Sequence, residues 1–184
     1  MVQYMRPVSD KADDGNWSST DEDDDDATPI FFSAIDETSA DDNDYIEADG
    51  SSGSAATIDF ELTNGISDPG VTTGHKIVYR WSIGEQGSSA CSLTAKLMVG
   101  STVHTTDTVS VAGTSGWTTT THAPTNLGSA LGSATAYNNA FLRFEFEDDD
   151  AMETLLISWA YVEGPDAAAS GATATPAAFL LFVD

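Results

Sequence analysis

Positive charge is what this sequence has least of: 6 Lys+Arg stand against 30 Asp+Glu in 184 residues, a formal net charge of −24. No basic stripe can be drawn from six cations, so nucleic acid and anionic membrane are excluded as partners by the field of the whole molecule. Cysteine is nearly absent too. Cys91 alone excludes a disulfide framework within one chain, and its place in an apolar–polar alternation predicts an inert buried thiol. The three histidines, His75, His104 and His122, provide no closely spaced ligand pair for zinc, and no signature around Cys91 marks a catalytic thiol. Long apolar runs are missing as well: nothing approaches the ~18–20 residues of a membrane span, and MVQYMRPVSD has no run of signal-peptide length. A soluble chain that does not use the general secretory route is the expectation.

What is present is one domain's length of β-type sequence. Seven runs stand out: 57–62 (TIDFEL), 74–83 (GHKIVYRWSI), 92–99 (SLTAKLMV), 102–111 (TVHTTDTVSV), 117–122 (WTTTTH), 140–147 (AFLRFEFE) and 154–162 (TLLISWAYV). Most alternate with period 2, which in a strand sends every second side chain to one face. Ile77, Tyr79 and Trp81 oppose Lys76, Val78 and Arg80, while Leu142, Phe144 and Phe146 oppose Arg143, Glu145 and Glu147. Turn signals such as Asn64-Gly65, Asp68-Pro69-Gly70 and Val99-Gly100-Ser101-Thr102 separate the runs, the last reading as a tight hairpin. Only 126–139 (NLGSALGSATAYNN) leaves room for a short helix or irregular crossover. Eight or nine strands without βαβ spacing predict an all-β, antiparallel two-sheet β-sandwich, jelly-roll-like in its long crossovers.

The ends differ from the middle. Residues 1–50 carry a net −14 and the other 134 residues −10, so 1–29 read as an extended acidic arm on a body spanning 30–164. Residues 21–26 (DEDDDD) read as a solvated, self-repelling run, as an adaptation to salty water, or as a cation-mediated contact. Trp17 and the Tyr4/Met5 pair are docking points for the arm. The segment 165–184 is an Ala/Gly-rich linker followed by 177–183 (AAFLLFV), either a last core strand or one donated to a neighbour.

Chemistry finds little purchase. Asp21, Asp23 and Asp25 have calcium-loop spacing, but Asp26 stands where the loop needs Gly and Phe32 where it needs Glu. The clusters 41–44 and 148–150 suit loose Ca²⁺ or Mg²⁺ binding no better than turn formation; no cofactor is expected. Carboxylate pairs such as Asp36/Glu37 and Glu145/Glu147 are unspecific in so acidic a chain, and neither a G-x-S-x-G elbow nor a phosphate-loop Lys is present. A non-enzymatic protein is expected. Among the aromatics that could form a sugar-binding face (Trp81, Trp117, Tyr137, Trp159), Trp117 after Gly116 is the best surface candidate.

One ordered set of motifs has a precedent. Arg6-Pro7 with Ser9-Asp10, Trp17, Ala34-Ile35-Asp36-Glu37, Asp41-Asp42, Asp44-Tyr45-Ile46, Phe60-x-Leu62, Asp68-Pro69, Gly74-His75-x-Ile77-x-Tyr79-Arg80 and Ile157-Ser158-Trp159-Ala160-x-Val162-Glu163 with Pro165 follow one another. Together, over residues 6–165, they resemble small virion structural proteins of tailed bacteriophages and prophages. The acidic insert at 21–26 and the tail 166–184 depart from that pattern. The resemblance implies a decoration or cement protein on the particle exterior, contacting the major capsid protein or other virion proteins as a homo-oligomer or lattice component. It transfers no catalytic residue. Arg6, Trp17, Trp117 and the apolar Phe179, Leu180, Leu181 and Phe182 are the expected partner contacts. The alternative is a tail or tail-fibre β-sandwich that binds host-surface glycan.

Overall fold

The computed structural model of the chain describes residues 2–20, 30–49, 54–84, 90–112, 115–127, 131, 133–148 and 153–166. Eleven strands follow in order: β1 (Val2–Met5), β2 (Pro7–Asp13), β3 (Trp17–Ser19), β4 (Ile46–Asp49), β5 (Ala56–Leu62), β6 (Lys76–Ile83), β7 (Ala90–Val99), β8 (Thr102–Ala112), β9 (Ser115–His122), β10 (Ala140–Asp148) and β11 (Thr154–Pro165). They form two antiparallel sheets. Sheet A runs β3-β4-β11-β6-β9, with β1 also on β11, and sheet B runs β2-β5-β10-β7-β8.

Strands β4 to β11 behave as one long hairpin rolled up. β4 pairs with β11, β5 with β10, β6 with β9 and β7 with β8, all antiparallel. That sequence of pairings is the jelly roll: the two limbs of the hairpin wind together and alternate between sheets. Its tip is the turn expected at Gly100-Ser101, where Val99 pairs with Thr102 and Gly100 takes φ +59°. Only glycine adopts that backbone without a Cβ penalty.

The alternating runs supply the core between the sheets. Phe60, Leu142, Phe144, Phe146, Ile58 and Leu97 from sheet B meet Ile77, Tyr79, Trp81, Ile157 and Val162 from sheet A, all buried. Tyr79 and Phe60 each set a ring edge against Phe144 at centroid separations of 5.7 and 6.4 Å. The opposite face of sheet B is polar and paired: Arg143 grips Asp59 with two bonds of 2.6 and 2.7 Å, and Lys96 meets Glu145. Cys91 is buried, and that burial, chiefly, pushes its thiol up to about 11, as an inert core residue requires.

Residues 2–19, expected as an arm outside the body, contribute three strands to the sandwich. β1 extends the far end of β11, β2 lies on β5 and β3 on β4. Met5 and Trp17 enter the core at 0% and 6% exposure. The reason they read as an arm is that edge strands bury only part of one face, so their apolar alternation is sparse. The short helix within 126–139 covers Ala134–Asn138, capped by the Ser133 side chain. Residues 21–26 and the apolar run 177–183, with Phe179, Leu180, Leu181 and Phe182, lie outside the described residues.

Phe144 is fully buried between both sheets, so Phe144→Ala is expected to cost about 3–5 kcal/mol. Chemical denaturation followed by tryptophan fluorescence measures it; a loss below about 1 kcal/mol would contradict this packing.

Candidate functional site

The outer face of sheet A collects the polar and aromatic side chains that the core does not use, and a bulge in β11 decides which ones. Register against β6 breaks between Ile157 and Trp159. Before the break Leu155 and Ile157 point inward; after it Ala160 and Val162 do, and all four are fully buried. Ser158 is the extra residue. Strict alternation would have sent Trp159 and Tyr161 into the core with Leu155 and Ile157; the one-residue slip turns both outward.

A strap formed by residues 35–45 crosses this outer face. It begins where β11 has no strand neighbour, between the stretches paired to β4 and β1, and there the Ala160 amide donates to the Ile35 carbonyl at 3.0 Å. Farther on, the Glu37 carbonyl accepts from the Trp159 indole N–H at 2.8 Å and from the Arg6 guanidinium. Asp42 anchors the far end, receiving Arg80 Nε and Nη2 at 2.6 Å each and the Ser158 hydroxyl at 3.1 Å. The Arg80 hydrogen bonds hold the Asp42 carboxyl below the usual carboxylate range.

The strap divides the aromatics into two groups. Tyr4 and Tyr161 meet edge to face at 5.5 Å, Tyr161 meets Trp159 at 4.9 Å, and the Arg6 guanidinium lies 5.3 Å from the Tyr161 centroid. Tyr4 is half exposed at 50%. On the other side Trp117 packs against Tyr45 at 6.1 Å, with the Arg80 guanidinium 5.8 Å over its ring.

Of the expected partner contacts, Arg6 sits in the first group and Trp117, half-buried, in the second. Trp17 is enclosed in this chain's own core between the sheets. Tyr137, weighed as a surface aromatic, is buried against His75, its hydroxyl hydrogen-bonded to the His75 Nε2. Trp81 is a core residue whose indole N–H donates to Thr120 at 2.9 Å. The sequence signals did not single out Tyr4 and Tyr161; Tyr161 was readable as outward only once the bulge at Ser158 was known.

Two further clusters have structural explanations. The Thr105 hydroxyl, both ring nitrogens of His122 and Asp107 form a chain of 2.9 and 3.2 Å contacts, and the Tyr79 hydroxyl donates to Asp107 at 2.8 Å. Hydroxyl, imidazole and carboxylate in that order make a hydrolase relay. Here they link the neighbouring edges β8 and β9 of the two sheets. Among the described residues, no group of three or more His, Cys, Asp or Glu is placed to hold a metal. In the 41–44 cluster Asp42 is committed to Arg80, and Asp41 accepts from the Asn43 amide at 3.0 Å, as in an Asx turn.

The fold and this face define the chain as a jelly-roll β-sandwich module. No family model and no curated protein matches the sequence. Among solved structures it is similar to an arabinose-bound GH51 α-L-arabinofuranosidase, at 14% identity and TM-score 0.46, over 85% of this chain and 25% of that one. The chain thus spans a quarter of that enzyme's length. It is also similar to a CBM36-1 domain of a multidomain xylanase from the hindgut metagenome of Trinervitermes trinervoides, at 13% identity and TM-score 0.39, covering 72% of this chain and 88% of that one. A CBM61 module in complex with β-1,4-galactotriose matches at 9% identity and TM-score 0.39, over 88% and 86% of the two chains.

Glu37 gives the strap a pH dependence. Burial first, then the charges of Asp36, Asp44 and Asp41, raise its carboxyl from 4.5 to about 7. One of its oxygens is buried without a hydrogen-bond partner among the described residues. The folded state therefore binds this proton more tightly than the unfolded chain, so stability is gained as pH falls from 7 to 4.5 and lost as it rises through 7. His75 acts oppositely, because burial lowers its pKa below 6.5 and its contribution is lost as pH falls. Comparison with Glu37→Gln isolates the carboxyl. The variant is expected to melt higher than the parent above pH 7 and level with it near 4.5; parallel melting curves across that range would refute the assignment.

Proposed function

We propose that this protein is a non-enzymatic structural component of a phage virion, a decoration protein on the head exterior that stabilises the capsid through contacts between subunits. What supports the reading is the ordered motif set running from Arg6 to Pro165. The motif residues share one task in the fold. Arg6, Asp42, Arg80, Ser158 and Trp159 fasten the strap, Asp10 accepts the Phe31 and Phe32 amides at 3.0 and 2.8 Å, and Glu163 pairs with Lys76 at 2.7 Å. Residues spent on rigidity suit a lattice component, which works by holding its shape and repeating weak contacts at high effective concentration. The major capsid protein is the expected partner, and the acidic exterior keeps the particle surface hydrated.

A second reading rests on the outward aromatics. Tyr4, Tyr161 and Trp159 with Arg6, and Trp117 beyond the strap, are the side-chain types that stack on sugar rings, as a tail or tail-fibre module binding host glycan would require. Jelly rolls serve capsids and lectins alike, so the fold itself does not choose between them.

Mass spectrometry and immunogold labelling of gradient-purified particles decide the first reading. The protein is expected on the head, at a constant ratio to the major capsid protein with and without chelator; its absence from particles would defeat the proposal. A glycan array separates the second. Specific sugar binding that disappears in Tyr4→Ala or Trp117→Ala would replace the structural reading with the glycan-binding one.

A further inference from the structure

An open sandwich has edges, and unpaired N–H and C=O groups along an edge invite another strand unless the edge is protected. One side of this sandwich is well protected. β2 begins with Pro7, carries Lys11, breaks register twice, between Pro7 and Ser9 and between Asp10 and Ala12, and is bound by the turn at Phe31 and Phe32. β3 has 3 residues and β1 has 4.

The other side has none of these devices. β8 is 11 residues long and β9 is 8; among the described residues β8 pairs with β7 alone and β9 with β6 alone. Neither contains Pro, Lys, Arg or Glu. Their single carboxylate, Asp107, is drawn into the bonds with Tyr79 and His122. Along β8, Val103 is 46% exposed, and Thr106, Thr108 and Ser110 are exposed. In a chain of net charge −24 this is a strip where no like charges are opposed. The partner that fits it must supply a neutral, β-branched strand edge of equal length, and a second copy of the strip does so.

We propose that two copies of this protein pair through β8, antiparallel about a two-fold axis, so that sheet B runs on from one protomer into the next. An isologous edge contact of this kind is self-complementary by symmetry. A register centred on Thr108 sets Thr108 against its own copy, Thr106 against Ser110, and Asp107 against Val109. No carboxylate then faces its twin, and Thr–Thr pairs add cross-strand hydrogen bonding to the main-chain ladder. The pairing is a property of the chain itself and does not rest on its presence in particles.

Light scattering coupled to size exclusion, run on the full chain from micromolar to submillimolar concentration, reads the oligomeric state. The parent is expected to be dimeric. Thr108→Lys puts two ammonium groups against each other at the axis and is expected to yield a monomer with unchanged near-UV circular dichroism. Thr108→Cys supplies a positive test: strand partners in register lie within disulfide reach, so oxidation should cross-link it as a dimer, whereas Thr121→Cys on β9 should stay monomeric on a denaturing gel. A parent that is monomeric throughout, a dimer indifferent to Thr108→Lys, or no cross-link at Thr108→Cys would each overturn the proposal. So would a dimer that survives Thr108→Lys and dissolves when residues 177–184 are removed, because that result assigns the contact to the apolar segment.

Discussion

The paired hydrogen bonds between Arg80 and Asp42 are the constraint on which the outer half of this structure depends. A bidentate guanidinium–carboxylate pair is directional as well as strong, so it fixes where the strap lies. Asp42 also takes the hydroxyl of Ser158, the bulge residue of β11. The same contact therefore holds the strap and fills the irregularity that turns Trp159 and Tyr161 outward. Trp159 and Arg6 return the favour by holding the Glu37 carbonyl, which leaves the Glu37 carboxyl in surroundings that disfavour its charge. Pairing and desolvation thus oppose each other within a few residues of one strap.

Beneath the strap the fold follows from a single long hairpin. Once Gly100 makes the tip, each antiparallel pairing from β7–β8 back to β4–β11 follows from the one before, and the core fills from alternating positions on both limbs. The N-terminal strands come last in this construction and first in the chain. They close the weak places: β1 and the Ile35 carbonyl occupy the part of β11 that β4 does not reach, and β2 covers the edge of β5. Edge protection is consequently one-sided, which leaves β8 and β9 as the surface through which a neighbour is accommodated.

Charge is distributed in keeping with this. The cations of sheet B's outer face and of β6 stand against carboxylates: Arg143 with Asp59, Lys96 with Glu145, Arg80 with Asp42, Lys76 with Glu163. Arg6 instead faces tyrosine rings and a backbone carbonyl. An excess of carboxylate spread over solvated surface limits non-specific association, and the neutral β8–β9 side is the exception to it.

Composition and period alone determined a good deal. All seven alternating runs are strands, the Gly100 turn is where they fold back, Cys91 is buried, and the sandwich class follows, because period-2 alternation and turn chemistry are local properties of a chain. What the tertiary structure decided were questions of direction and partnership. Whether Trp159 faces the core or the solvent depends on one bulge against β6. Tyr137 is buried by His75, 62 residues away in sequence. Arg80 finds Asp42 across 38 residues. Residues 2–19 become strands because β5, β4 and β11 offer edges to them, and their own sequence holds too few apolar positions to announce it. A side chain's face is set by its register on a neighbouring strand, and a register is a long-range fact that no local pattern contains.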